Sequence, residues 1–403
     1  MHYEKACNLV TFKTGKLDSN AAEEEGKYPF FTCAQTTYRI NSYAFDTECV
    51  LLAGNNAGGI FPLKYYKGKF NAYQRTYIIQ SKNSQVLNIK YLYFYLRPYL
   101  KAFEQEATGA TTKFLTLKIL NNLRVALPSV EVQEKIAAIL CAYDDLIENN
   151  RRRIELLEQM AEELYREWFV RFRFPGYQQA KFQKGIPVSW RVGQLSNIAD
   201  INARNIRKGR EPQTIRYLDI GSVSTNSFVS PIAINYTDAP GRARRIVKHG
   251  DIIWSSVRPA NRAYCLIYEP SENMIASTGF AVISPHADVP YSFIKMAVTT
   301  DSFVEQMTIV AKGSAYPATS FDDFEKAKIL LPTEGLLKEF DKYVEPMFRE
   351  AHRLSMRNSA LERSRNTLLP RLISGKLPVD SLAIHFPPSM REAVEARQDV
   401  VHA

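Results

Sequence analysis

Thr108–Ile136 reads TGATTKFLTLKILNNLRVALPSVEVQEKI, and Lys312–Phe340 reads KGSAYPATSFDDFEKAKILLPTEGLLKEF. The two stretches align without a gap at one fixed offset, 108 to 312, or 204 residues. Gly109 matches Gly313, Leu117 matches Phe321, and Leu120 matches Phe324. Val125 then matches Ile329, Leu127 matches Leu331, Pro128 matches Pro332, and Ile136 matches Phe340. Each copy runs from a Gly-containing polar loop through a short amphipathic stretch and a β-like apolar pair to a Leu-Pro stop. A long helical pattern follows in both. An internal repeat constrains the fold before any other feature does, because each copy has to make the same local structure.

Working upstream, FDTECVLLAGNN at Phe45–Asn56 resembles KHGDIIWSSVRP at Lys248–Pro259, and NAYQRTYIIQSK at Asn71–Lys82 sits opposite IASTGFAVISPH at Ile275–His286. All four read as short strands rich in Ile, Val, Tyr and Phe, bounded by Gly and Asn turns. Downstream, apolar residues step at seven-residue intervals across Val132–Phe169. One rail is Leu140, Ile147, Ile154, Ala161 and Trp168; the other is Ile136, Tyr143, Asn150, Leu157 and Leu164. Only Asn150 interrupts this coiled-coil seam. The same spacing in the second copy gives Phe340, Met347, Leu354, Leu361 and Leu368, beside a weaker rail of Val344, Ala351, Asn358, Arg365 and Leu372. Pro346 predicts a kink or a late start there. A 38-residue helix spans about 57 Å, longer than the globular part before it, so two such seams are expected to cover each other.

The predicted fold is α+β: two strand-rich heads related by pseudo-twofold symmetry, separated by two long helices that form an antiparallel coiled coil. The first head covers 1–128 and its helix 129–174, which ends at Pro175-Gly176. The second head covers 185–332 and its helix 333–377, leaving a tail at 378–403 that reads as poorly ordered.

Composition narrows the function. The 403 residues allow two or three domains, and 45% hydrophobic with 23% charged residues fits a soluble protein. MHYEKACNLVTFKTGK lacks the apolar core of a signal peptide, and no run is long enough to cross a bilayer, so a cytoplasmic location is expected. Cys7, Cys33, Cys49, Cys141 and Cys265 are odd in number, widely spaced and never C-x-x-C, which points to buried, inert thiols. No P-loop, H-E-x-x-H or G-x-S-x-G occurs, and no metal or cofactor site is read. The sole Pro-Pro, Pro387-Pro388, lacks the neighbours of an adenine methyltransferase tetrad. Asp144-Asp145 and Asp322-Asp323 fall in or beside helical repeats, where solvated acids are commonplace. A net charge of +10 instead favours a polyanionic partner, since each neutralised phosphate releases a counterion.

The candidate DNA-gripping residues lie between strands. In the first head, Lys64, Lys67 and Lys69 interleave with tyrosines in a predicted turn, followed by Asn71, Gln74 and Arg75. Lysines neutralise phosphates, while Asn, Gln and Arg are the side chains that pair with base edges. The loop Gly54–Gly59, carrying Asn55 and Asn56, would let backbone approach a partner. The tyrosines read more readily as strand packing. In the second head, Arg204, Arg207, Lys208 and Arg210 precede Arg242, Arg244, Arg245 and Lys248. Arg258, Asn261 and Arg262 then follow a predicted strand at Asp251–Ser256, in a loop position suited to recognition. The repeat-equivalent loops Thr108–Lys113 and Lys312–Tyr316 add Lys113, Lys312, Ser314 and Tyr316.

These residues together resemble the specificity subunit of Type I restriction–modification enzymes. The matching strings are FKTGKLDSNAA, GKYPFFTC, LLAGNNAGG and YYKGKFNAYQRTYII, then TKFLTLKILNNLRVALPSVEVQEKIAAIL, IPVSWRVGQLSNIADI and RLISGKL. They run over residues 1 to about 378, and Leu115–Leu140 is the most specific part. The second copy departs there, with TEGLLKEF where the first has a Gln-containing start, and the first head lacks the lead that Trp190 gives the second. The resemblance implies that each head is a target-recognition domain reading one half of a split double-stranded DNA site. It further implies that the helix pair sets the unread spacer and docks two modification (methyltransferase) subunits, with restriction subunits a further partner. Catalysis and cofactors would then belong to the partners, and this chain would be no enzyme. The alternative is a stand-alone two-headed DNA-binding regulator or scaffold.

Overall fold

Alternation and β-branching place the strands where apolar residues recur at period two. The computed structural model describes residues 2–56, 61–107, 112–313 and 316–391. In the first head, β1 (Val10–Thr14), β2 (Phe45–Ala53), β3 (Leu63–Ala72) and β4 (Thr76–Ser81) pair antiparallel in the order β1-β4-β2-β3. Tyr28–Phe31 and Tyr38–Ile40 extend the sheet beyond β3. Val50, Leu51, Leu52 and Ala53 are all buried because β2 lies between two strands and under apolar side chains on both faces.

The second head repeats this plan. β5 (Ala199–Ile201), β6 (Ile252–Ser255), β7 (Tyr264–Leu266) and β8 (Phe280–Pro285) are ordered β5-β8-β6-β7. Register repeats as well as order: Val50 faces Ile79 in one head, and Ile253 faces Val282 in the other, each 203 residues on. Tyr3–Lys5 pairs with Arg124–Ala126, and Arg191–Gln194 pairs with Lys328–Leu331 in the same role. The second head adds a four-stranded sheet built on Thr214–Leu218 and Met274–Ser277.

The Leu-Pro stops release two long helices, α1 (Val130–Tyr165) and α2 (Glu334–Ile373). A π-helical turn at Arg166–Val170 continues α1 and buries Trp168 and Phe169. Backbone contacts divide the chain into two compact units, residues 1–149 with 357–403, and residues 150–356. Within the first unit, Ile136 and Leu140 of α1 and Leu369 and Leu372 of α2 enter one apolar core with Tyr91, Leu120 and Val125. There Arg365 and Arg97 both reach Asp144, and Asn358 Nδ2 donates to the Ile147 carbonyl at 3.2 Å. Within the second unit, Phe340 packs edge-on against Trp168 at 5.7 Å and Phe169 at 5.0 Å, and Arg153 meets Glu350 at 3.3 Å. In each unit the numbers on α2 fall as those on α1 rise, so the paired segments run antiparallel. The remaining rail residues Tyr143, Ile154, Leu157, Leu164, Met347, Leu361 and Leu368 are half-buried, while Ile147, Val344 and Leu354 are buried.

Four expectations change. Lys64–Ala72 is strand rather than turn, because its cross-strand partners Phe45–Leu51 fix it in an extended ladder. Neither proline delays α2, which begins at Glu334; Pro346 and Pro370 are exposed, where water can take the carbonyl each leaves unpaired. The tail packs as far as Met390: Val379 and Met390 are buried in the first unit's core, Lys135 Nζ donates to the Asp380 carbonyl at 2.7 Å, and Lys90 binds the Ser389 carbonyl. Residues 392–403 lie outside the described chain. Cys7 and Cys33 are half-exposed, whereas burial pushes the Cys49 and Cys265 thiols up to about 12 and Cys141 to about 11.

The departure between the helix starts also has a physical reason. Gln133 is fully buried; it accepts from the Asn88 N–H and donates to the Val86 and Pro128 carbonyls, at 2.9 Å each. Its repeat partner, 204 residues on, is Leu337, buried in an apolar core instead.

Candidate nucleic-acid interface

Both heads close two loops against each other at the end of the central strand. In the first, Asn55 and Asn56 pair antiparallel with Phe114 and Lys113. In the second, Val257 bridges Ala318, and Lys312 bridges the same residue. From Phe114 to Ala318 the offset is again 204, and from Asn55 to Val257 it is 202, so the closure belongs to the repeated unit.

In the first head this closure brings Asn55, Asn56, Arg75 and Lys113 together. The Gly54 N–H donates to the Arg75 carbonyl at 2.7 Å. A Cβ on Gly54 would stand 2.5 Å from that oxygen, so the chain's own backbone demands the glycine. The Arg75 guanidinium lies 5.3 Å over the Phe114 ring. Asn55 Oδ1 is buried with no hydrogen-bond partner among the described residues. Residues 57–60 and 108–111 of these loops lie outside the described chain.

The other first-head candidates go elsewhere. Lys64 Nζ donates to the Ala34 and Thr36 carbonyls and to Thr37 Oγ1 at 3.1–3.2 Å, and burial holds its pKa below the ordinary lysine value. It ties a loop to the sheet. Asn71 is buried, accepting from the Ala72 N–H and donating to Ser42. Gln74 is exposed but binds Asp18 at 2.7 Å. Lys67 and Lys69 are exposed, yet they stand opposite Glu48 and Asp46 across the ladder. That places them about 17 and 23 Å along the strand from Ala53, at roughly 3.3 Å per residue. The tyrosines pack: Tyr65 donates to Glu48 at 2.8 Å, and Tyr66 lies 5.2 Å from Phe31.

In the second head the closure gathers Arg258, Asn261, Arg262, Lys312 and Tyr316. Ser314 lies outside the described residues. Arg258 lies 4.7 Å over the Tyr316 ring, while Arg262 is paired with Asp301 at 2.5 Å. Arg242, Arg244 and Arg245 sit apart from this loop, at the strand Ala243–Ile246. Arg242 pairs with Asp219 at 2.8 Å, and Arg244 Nε donates to the Gly241 carbonyl. Arg245 donates to Asn205 at 2.7 Å and stacks on Phe321, with its pKa lowered by burial. Arg204 is held by the buried Asp251.

Sequence reasoning missed the two aromatic platforms' roles and the acids that hold the arginines. Phe114 and Tyr316 stand in the repeated loop itself, which was the available signal. The acid pairings span 23–47 residues, from Asp219–Arg242 to Arg204–Asp251, and no local pattern announces them.

The site and fold define a duplicated protein with two heads of shared topology, each presenting a loop-borne arginine on an aromatic ring, and a helix pair common to both. The family described as Type I restriction modification DNA specificity domain matches residues 7–159. The Type I restriction enzyme EcoDI specificity subunit of Escherichia coli is 29% identical over 396 residues, covering 92% of this chain and 87% of that protein. The MjaIX specificity subunit of Methanocaldococcus jannaschii is 25% identical, covering 73% of this chain and 70% of that one. A crystal structure of a Type-I restriction-modification system S subunit from M. genitalium shares the fold, with a TM-score of 0.57 at 16% identity over 92% of this chain and 95% of that one. Over most of its length the chain is thus similar to Type I restriction enzyme specificity subunits. Among the described residues, no helix is long and apolar enough to cross a membrane.

Proposed function

We propose that this chain is the DNA-reading subunit of a Type I restriction–modification complex and carries no catalytic step itself. Each head reads one half of a split site. The helix pair fixes the distance between the halves and docks two modification subunits, which supply methyl transfer; restriction subunits join where the system has them. The observation that carries this reading is the repeated loop closure, because two equivalent grips on one polypeptide suit two half-sites on one duplex. A positive net charge supplies the sequence-independent part of the affinity. The first grip is assigned to Asn55, Asn56, Arg75 and Lys113, and the second to Arg258, Asn261, Lys312 and Tyr316. The stand-alone regulator is the weaker reading, since the relatives above are named as subunits of restriction enzymes.

Co-expression with the modification subunit of the same system tests the assignment. A stable complex that methylates DNA at a split motif is expected. A chain that binds DNA alone and never associates with a methyltransferase would overturn it.

A further inference from the structure

The second head's added four-stranded sheet has no counterpart among the described residues of the first, and it borders a cleft of about 750 Å³. Ile206, Val247, Met274 and Ile275 line that cleft and are buried in two packed cores, so its apolar wall is fixed. Arg207, Arg210 and Lys248 line it too, with Lys208 between the two arginines. The segment carrying the arginines is anchored at its base, where the Ile206 N–H donates to the Arg244 carbonyl at 2.9 Å and the Ile246 N–H to the Arg204 carbonyl at 3.1 Å. It then closes a tight turn: the Arg210 N–H donates to the Arg207 carbonyl at 3.0 Å, and Gly209 takes the third position at φ +83°, which favours glycine.

The cations of this cleft differ from other arginines of the same head. Arg204, Arg242 and Arg262 each meet an aspartate at 2.5–2.8 Å. Among the described residues, no carboxylate forms an ion pair with Arg207, Lys208, Arg210 or Lys248, and all four are exposed. Glu272 is the one acid lining the cleft, and the nearby Glu211 accepts from the Gly209 N–H at 2.7 Å. A concave surface of mostly one charge, with apolar walls, focuses its field towards solvent and draws in a polyanion.

We infer that the Arg207–Arg210 turn and Lys248 grip the phosphate backbone of the duplex beside the half-site of the second head, and that they read no base. The inference rests on the DNA-reading assignment above. The recognition loop and the cleft flank opposite ends of β6: Lys248 precedes Ile252, and Arg258 follows Ser255. That strand spans about 13 Å at roughly 3.3 Å per residue, the length of about four base pairs at roughly 3.4 Å each, so one duplex can meet both. The ends of a tight turn lie under about 7 Å apart, which matches two steps along one strand of the duplex. Long exposed side chains with no ion pair to fix them suit the diffuse charge of a backbone. An acidic protein segment would instead call for donors held at set points. Because the sheet occurs in the second head, the grip falls on one side of the split site.

The test measures salt-dependent binding and hydroxyl-radical footprints of the complete complex, this chain with its modification subunits, on a duplex carrying its split motif. A variant combining Arg207→Ala, Lys208→Ala, Arg210→Ala and Lys248→Ala should lower the slope of log affinity against log salt by about 3 to 4, at roughly 0.9 per phosphate. Its footprint should shrink beside the second half-site alone, and the methylated motif should stay the same in both halves. Arg207→Lys with Arg210→Lys keeps the charge and should keep both slope and footprint. An unchanged slope and footprint in the alanine variant overturn the inference while leaving the DNA-reading assignment standing. So does an altered base in the motif, which would mark base readout, and so does a complex that sheds its modification subunits, which would mark a protein contact. Loss of slope in the lysine variant as well also overturns it, because charge would not be what the turn supplies. If wild type protects and methylates no split motif, the assignment itself fails and the inference falls with it.

Discussion

At the residue scale, the structure shows which of the cations expected at DNA instead hold the protein together. Lys64 is of this kind, with three oxygen acceptors around its ammonium. Lys64→Ala leaves those groups without a donor and is expected to cost about 1–3 kcal/mol of stability, read from the urea midpoint. Lys67→Ala should change stability by less than about 0.5 kcal/mol, because that side chain is exposed and stands opposite Glu48 at the open side of the ladder. We propose that Arg75 and Lys113 belong to a second kind that meets DNA: substituting either by alanine should lower the slope of log affinity against log salt by about 1 for each phosphate no longer neutralised. The sequence could announce a basic, aromatic stretch at Lys64–Arg75 but not its division of labour. A lysine in a strand and a lysine in a loop look alike until the distant oxygens of Ala34, Thr36 and Thr37 are brought beside one of them.

At the element scale, the strands and helices were legible because their periodicities are strong. Val50–Ala53 and Ile252–Ser255 read as parts of short strands from apolar runs bounded by turns, and the structure pairs them in equivalent registers. The rails on α1 and α2 were equally plain, down to Asn358, whose amide reaches the Ile147 carbonyl and gives the seam a polar register mark. Less legible was how the rail ends join the heads: Phe340, Trp168 and Phe169 complete a head core, which seven-residue spacing cannot distinguish from a helix-only seam. Phe340→Ala is therefore expected to cost about 3–5 kcal/mol and to lower the melting temperature of the second unit, measured calorimetrically. The tail also escaped detection. Its apolar residues, Val379 and Met390, are scattered among prolines and carry no period, and they find order only on a core formed by residues hundreds of positions earlier.

At the scale of the whole molecule, the duplication is the organising fact. Gly109 with Gly313 and Pro128 with Pro332 were enough to expose it, while the second head's extra sheet has no counterpart and so no sequence signal in the repeat. If the helix pair is a ruler, adding seven residues to each helix, after Asn150 and after Leu354, keeps the heptad phase and lengthens the pair by about 10 Å. The preferred gap in the DNA site should then grow by about three base pairs, at roughly 3.4 Å each, as read by methylation of a spacer series. An unchanged gap would refute the ruler. The most direct measurement of the central claim is the methylation motif of a chimaera in which the second head, residues 185–332, is replaced by that of a relative with a different target. One half of the motif should change to the donor's sequence while the other half stays as it was; a motif that changes in both halves, or in neither, would contradict two independent readers on one chain.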